Sequence, residues 1–153
     1  MNLEHVARVA DLNARYAEAI DADRLEAWPD FFLDDGRYRV TTAENVAQGL
    51  PLSMMYAASR AMLRDRVTAL REANVYEGQR YRHVLGTPLI TAPSPPSPSS
   101  GGGWGGGELR ARTSFMVARV MRTGDTMLFA TGCYEDHVVL DSRQIDTLLA
   151  IPL

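Results

Sequence analysis

From Leu3 to Ile20 the apolar residues Leu3, Val6, Val9, Ala10, Tyr16, Ala17 and Ile20 return at intervals of three and four. That spacing lines one face of a helix, so an amphipathic helix is predicted at the start of the chain. The pattern restarts in "DADRLEAWPDFF". There Asp23 is placed to cap a short second helix, Glu26 stands where a carboxylate reaches back to the free amides, and Trp28, Phe31 and Phe32 are the apolar anchors. "DDG" at Asp34 to Gly36 predicts a turn, and "RYRVTT" after it a strand. Between Met54 and Ala73, Met55, Met62, Leu63, Val67 and Leu70 form a helical stripe, which predicts a helix over the whole segment.

From here the period changes to two. In "QRYRHVLGTPLIT", Tyr81, His83 and Leu85 fall on one side of a strand and Arg80, Arg82 and Val84 on the other, with a bend at Gly86 or an end at Pro88. "ELRARTSFMVARVMR" is a second strand, carrying Leu109, Ala111, Thr113, Phe115 and Val117 on one face. A turn at Thr123 to Asp125 then leads into "TMLFATGCYEDHVVLD", which returns alongside it. Helices first and an antiparallel meander afterwards is an α+β pattern, with the helices packed on one face of a curved sheet.

The stretch "APSPPSPSSGGGWGGGE", Ala92 to Glu108, has the composition of a linker. Its flanks argue against a domain boundary. The strands before and after it are incomplete pieces of a sheet, and a two-stranded ribbon is marginal alone in water. A chain of 153 residues is also the length of one ordinary domain. The expectation is therefore a single domain over residues 1–153 with a flexible loop at 92–108, in which Trp104 has no evident partner.

Composition narrows the function by exclusion. A net charge of −3, with 46% hydrophobic and 23% charged residues, gives no general attraction to nucleic acid or anionic lipid. The N-terminal residues lack the basic-then-apolar order of a leader, no stretch has the roughly 18 apolar residues of a membrane span, and Cys133 alone forms no internal disulfide. These features predict a cytoplasmic protein. A Rieske cluster needs two cysteines and two histidines, which one cysteine does not supply. His83 and His137 with Glu135 or Asp136 are the candidate set for a mononuclear iron; Asp136 and His137 point to opposite faces of a strand, whereas Glu135 and His137 share one, so only the sparse signal argues against the site. The more ordinary expectation is no metal in this chain. "GGGWGGG" precedes a strand pattern and not a helix, so it is no phosphate cradle.

Two sets of residues remain. Tyr16, Asp21 and His83 suit acid–base chemistry in a pocket between helices and sheet, as in small isomerases and dehydratases, although Tyr16 is equally a packing residue and Asp21 a helix end. Arg80, Tyr81, Arg82 and His83 suit a polar surface docked on another chain, and so does the apolar ending "IDTLLAIPL" with Leu148, Leu149, Ile151 and Leu153. The charge-dense helix face in "RDRVTALRE" reads as solvated, because exposed ion pairs contribute only about 0–1 kcal/mol.

Taken together, "YAEAIDADRLEAWPDFFLDDGRYRVTTAENVAQGLPL", "MLRDRVTALREANVYEGQRYRHVLG", "ARTSFMVARVMRTGDTMLFATGCYED" and "VLDSRQIDTLLAIPL" resemble the small (beta) subunits of bacterial aromatic-ring-hydroxylating dioxygenases, those serving terephthalate and salicylate above all. The resemblance implies a cone-shaped α+β fold shared with nuclear transport factor two and ketosteroid isomerase. It also implies a structural, non-catalytic role in catabolism of an aromatic carboxylate. The partner is then a large (alpha) subunit holding the Rieske [2Fe-2S] cluster, the mononuclear iron and the substrate pocket, usually three large with three small subunits. The alternatives from the residues alone are a stand-alone cone-fold isomerase or dehydratase, or a ligand-binding module. In two places the chain departs from the family pattern. The 92–108 connection is longer and more extreme in composition, and the turn expected between "CYED" and "VVLDS" is missing, since Tyr134 to Asp141 contains no Gly, Pro or Asn. Either one unusually long strand runs from Met127 to Leu140 or the last segment pairs in a shifted register, which puts closure of the sheet in question.

Overall fold

The computed structural model describes residues 2–73, 78–93, 108–139 and 144–151. Helix α1, Leu3–Asp21, begins where the Asn2 side chain accepts from the Glu4 and His5 amides at 3.1 and 3.4 Å. It buries Val9, Leu12, Tyr16 and Ala17, the face marked by the three-and-four spacing. It ends in a Schellman closure: Asp23 N–H donates to Ile20 C=O at 3.0 Å and Arg24 N–H to Ala19 C=O at 2.8 Å, around an Asp23 with φ of 58°. Aspartate tolerates this left-handed conformation better than most residues. Asp23 therefore closes the first helix and does not cap the second. The second element is a 3-10 helix, Leu25–Phe31, with no side-chain cap, burying Trp28 and Pro29.

Strand β1, Tyr38–Thr42, runs into the short α2, Ala43–Ala47, whose first turn is capped by the Thr42 hydroxyl accepting from the Asn45 amide at 3.1 Å. The helix predicted from Met54 begins later. Met55–Ala57 is a strand, β2, paired antiparallel with β1, and Ser59 caps α3, Arg60–Glu72. The unpaired edge of β1 thus outcompetes the helical periodicity of Met55, and Ser59 supplies the start signal four residues downstream. Strands β3, Gln79–Leu85, and β4, Leu89–Pro93, split where the bend at Gly86 and Pro88 is expected, and both pair with β5, Glu108–Met121. At the hairpin from β5 to β6, Thr126–Val139, Gly124 adopts φ of 89°, a conformation that favours glycine.

The missing turn resolves as a single long strand. β6 spans 14 residues and pairs with β5 over nearly its full length, helped by a bulge opposite Val117 and Ala118 that increases local twist. Its second half, Cys133–Val139, also pairs with β7, Gln144–Ile151. β7 then lies parallel to β1, giving the sheet order β2-β1-β7-β6-β5-β3, with β4 beside β5. The sheet is continuous from β2 to β3 despite the shortened connection. Among the described strands, the one departure from antiparallel pairing is the β1–β7 pair, which brings together strands far apart in the chain.

One face of this sheet carries the helices. Leu109, Ala111, Phe115 and Val117 of β5 and Tyr134 and Val138 of β6 bury against Val9, Leu12 and Tyr16 of α1, Trp28 and Phe32 of the second element, and Leu63 and Val67 of α3. The buried Asn13 amide is satisfied by donating to the Thr113 hydroxyl at 3.0 Å, tying α1 to β5. Three arginines on one side of α3 hold the 3-10 segment. Arg60 donates to Phe32 C=O and Asp34, Arg64 to Asp30, and Arg71 to Asp23 and Glu26. The charged face of α3 is thus an intrachain clamp, where a purely solvated face was expected.

Candidate functional site

Inside the cone, the end of α1 meets the middle of β3. Asp21 is the last residue of α1 and His83 lies in mid-strand on the inward face of β3, opposite Val117. The Asp21 carboxylate meets His83 at two points. Oδ2 accepts the backbone N–H at 2.8 Å, and Oδ1 lies 2.6 Å from ring Nδ1. Both side chains are only 8% exposed. β3 is the outer strand of the sheet, so one carboxylate satisfies an otherwise unpaired edge amide and fixes the ring. An aspartate orienting an imidazole through Nδ1 is an arrangement general-base catalysts use, which makes this pair the strongest catalytic geometry among the described residues.

Tyr16 lies in a different setting. Its ring meets those of Trp28, Phe31, Phe32 and Tyr134 edge-on, with centroids 5.9–6.4 Å apart. Tyr134 in turn stacks on Phe115 at 4.5 Å. Burial pushes the Tyr16 phenol well above its ordinary value, reinforced by the neighbouring Tyr38 and Tyr134. Burial raises Tyr38 to about 12, with Tyr16 working the other way, and raises Tyr134 further. These phenols stay neutral at any physiological pH. The interior here is an aromatic cluster, and Tyr16 contributes edge-to-face packing of about 0.5–1.5 kcal/mol per ring pair beyond its area. The buried Asp136 next to it, a candidate iron ligand in the sequence, faces inward.

The residues of the "RYRH" motif divide between the two faces of β3. Tyr81 points inward, with its ring 5.4 Å from Phe129 and its hydroxyl 2.6 Å from the Gln79 amide. Arg119 lies over the same Phe129 ring at 5.2 Å. Arg80, Arg82 and Val84 are exposed on the opposite face. Leu148, Leu149 and Ile151 are backbone members of β7 paired with Arg39, Val40 and Thr42, and Leu153 lies outside the described residues, as do Trp104 and the loop around it.

The iron-ligand set is not assembled. Glu135 and His137 pair with Arg112 and Arg110 on the outer face, whereas His83 is on the inner one. Among the described residues no three His, Cys, Asp or Glu side chains converge, and the chain's single cysteine rules out a Rieske site of its own. No helix among them is long and apolar enough to cross a membrane.

On the outer face, α2 and strands β3, β5 and β6 enclose an open groove of about 730 Å³, floored by Ser114, Met116, Thr131 and Cys133 and walled by Val46 and Val84. The sheet thus carries an aromatic cluster around Tyr16 on its inner face and a groove on its outer one. It is 42% identical over 160 residues to the terephthalate 1,2-dioxygenase terminal oxygenase component subunit beta 1 of Comamonas sp., covering 95% of this chain and 97% of that one. The chain belongs to the small-subunit family of aromatic-ring-hydroxylating dioxygenases. The small subunit is also 31% identical to the anthranilate 1,2-dioxygenase small subunit of Burkholderia cepacia, over 93% of this chain and 90% of the other. Residues 1–146 match the SnoaL-like domain. Among solved structures, the beta subunit of a candidate aromatic-ring-hydroxylating dioxygenase from Novosphingobium aromaticivorans superposes with a TM-score of 0.80 at 34% identity, covering 99% of this chain and 93% of that one. The small subunit therefore has the cone fold and the oxidoreductase context expected from its sequence motifs.

Proposed function

We propose that this small subunit is structural: it binds a Rieske-type large subunit in the cytoplasm and holds copies of it in a three-plus-three ring, while the large subunit carries the [2Fe-2S] cluster, the mononuclear iron and the aromatic carboxylate substrate. The observation that carries this reading is the aromatic packing around Tyr16. Where a cone-fold enzyme needs room for substrate, Tyr16 is enclosed by four aromatic rings. The donor set supports it as well, since Glu135 and His137 face the outside of the sheet while His83 and Asp136 face its inside. The two subunits are to be co-expressed and the complex mass and oxygen uptake measured. A stable hetero-oligomer with activity dependent on the small chain is expected. A monomeric small chain beside a fully active large subunit sinks the proposal.

The Asp21–His83 pair favours a second reading, a stand-alone isomerase or dehydratase. Purified small chain converting an unsaturated or hydroxylated ketone without metal, with the activity lost in Asp21→Asn, would establish it. The single-domain organisation, with 92–108 as an internal loop, is part of the same proposal. It is supported by β4 and β5 pairing directly across that connection.

A further inference from the structure

The outer face of the sheet has an uneven distribution of charge. Arg80 and Arg82 project from β3 and Arg110 and Arg112 from β5, all exposed. Arg82 sits beside Ala118, six residues along β5 from Arg112, so the two arginine pairs stand roughly 20 Å apart at about 3.4 Å per residue. Between them runs the 730 Å³ groove. Its apolar rim is open to solvent, with Val84 61%, Met116 48% and Val46 44% exposed. Among the described side chains of the strands on this face, the acid that meets these four cations is Glu135, which lies 3.4 Å from Arg112. An apolar centre flanked by charge is the anatomy of a protein–protein interface, and arginine is among the residues enriched there.

We propose that this face, resting on the structural-subunit reading, is the seat of an acidic segment of the large subunit, with apolar side chains entering the groove and carboxylates meeting the two arginine pairs. The charge distribution selects that occupant. A second copy of this chain presents a helical layer in which six carboxylates are already engaged: Asp11 with Arg15, Glu18 with Arg24, Asp34 with Arg60, Asp30 with Arg64, and Asp23 and Glu26 with Arg71. The chain's own segment 94–107 contains no charged residue and so has nothing to offer the arginines. A different chain rich in Asp and Glu supplies what both lack.

The test is a binding measurement between the large Rieske subunit and the small subunit, by biolayer interferometry across a range of salt concentrations. Three variants are compared with the parent: Arg80→Glu with Arg82→Glu, Arg110→Glu with Arg112→Glu, and Met116→Glu. The substituted residues are exposed, and thermal melting checks that each variant is folded; the neutral Arg→Gln pairs serve if a reversal destabilises. Each charge reversal is expected to weaken binding at least about tenfold, chiefly through the association rate, and to flatten the salt dependence. The mass of the small subunit alone should not change. Unchanged affinity in all three variants overturns the proposal. Loss of self-association with the large subunit still bound assigns the face to a second copy and overturns it too. If the parent itself shows no affinity for the large subunit, the structural-subunit reading fails, and the assignment of this face fails with it.

Discussion

Asp21 has two jobs at once, as an acceptor for a strand-edge amide and as a partner for an imidazole, both within a site that water barely reaches. Replacing it with alanine leaves the His83 N–H unpaired, a cost of about 1–3 kcal/mol for a buried donor. Asp21→Ala should therefore lower the unfolding free energy read from denaturant titration by that amount, and Asp21→Asn by less, since the amide oxygen still accepts. Oxygen uptake by the complex, per folded small subunit, should not move in either variant. A folded variant that abolishes turnover would instead make the pair catalytic. The tyrosine cluster gives a separate readout. Tyr16, Tyr38 and Tyr134 have folded-state values above their ordinary 10.0, so the folded chain keeps protons that the unfolded chain gives up. Stability from this source is complete below pH 10 and falls as the pH rises beyond it. Absorbance at 295 nm should show these phenols ionising only together with alkaline unfolding. The sequence made the inward direction of Tyr16 and His83 visible through their spacing. It did not reveal that Asp21 reaches His83, because the contact joins residues far apart in the chain and periodicity reports only the face a residue occupies.

At the scale of elements, the clamp from α3 to the turn after α1 depends on Arg71. It donates to Asp23 Oδ1 at 2.9 Å, to Asp23 C=O at 2.7 Å and to the Glu26 carboxylate at 2.7 and 3.0 Å. These bonds hold Glu26 down at about 2, from an ordinary 4.5, and raise Arg71 in turn. The depressed value means stability that is present above pH 4.5 and lost as the pH falls toward 2. Both groups are exposed, so the contribution is modest and screened by salt. Arg71→Met should lower the melting temperature at pH 7 in dilute buffer, and the gap to the parent should close in acid and shrink in high salt. A gap independent of both would mean that the arginine acts only through packing. The two long helices were largely legible from their apolar stripes, but two signals misled. Asp23 looks like an N-cap by residue type, whereas its backbone closes the preceding helix. Met55 continues a helical stripe, but its pairing with Val40 in a sheet decides its conformation. In both cases a tertiary or neighbouring contact overrides a local preference of a few tenths of a kcal/mol to about 1 kcal/mol.

For the whole molecule, strand order was the least legible feature. The alternation on β5 placed Leu109, Ala111, Thr113, Phe115 and Val117 on the core face, but no local pattern announces that β7 inserts parallel to β1 between the two halves of the sheet. That insertion makes the chain ends interdependent and bears directly on the linker-like stretch. β4 ends with Pro93 opposite Leu109, so the connection between β4 and β5 starts and finishes on adjacent paired strands. A turn of about four residues spans such a gap. Replacing residues 94–107, 14 in all, by such a turn reduces the entropy of closing the connection by about 1 kcal/mol, at roughly 0.6 kcal/mol per doubling of length. The shortened chain should melt in one cooperative transition, a few degrees above the parent in scanning calorimetry. If the parent itself melts in two separable steps, with β5 to β7 unfolding apart from the rest, the stretch is a boundary between units after all. A shortened chain that melts lower would show that 94–107 contributes contacts of its own, and Trp104 would be the first residue to replace.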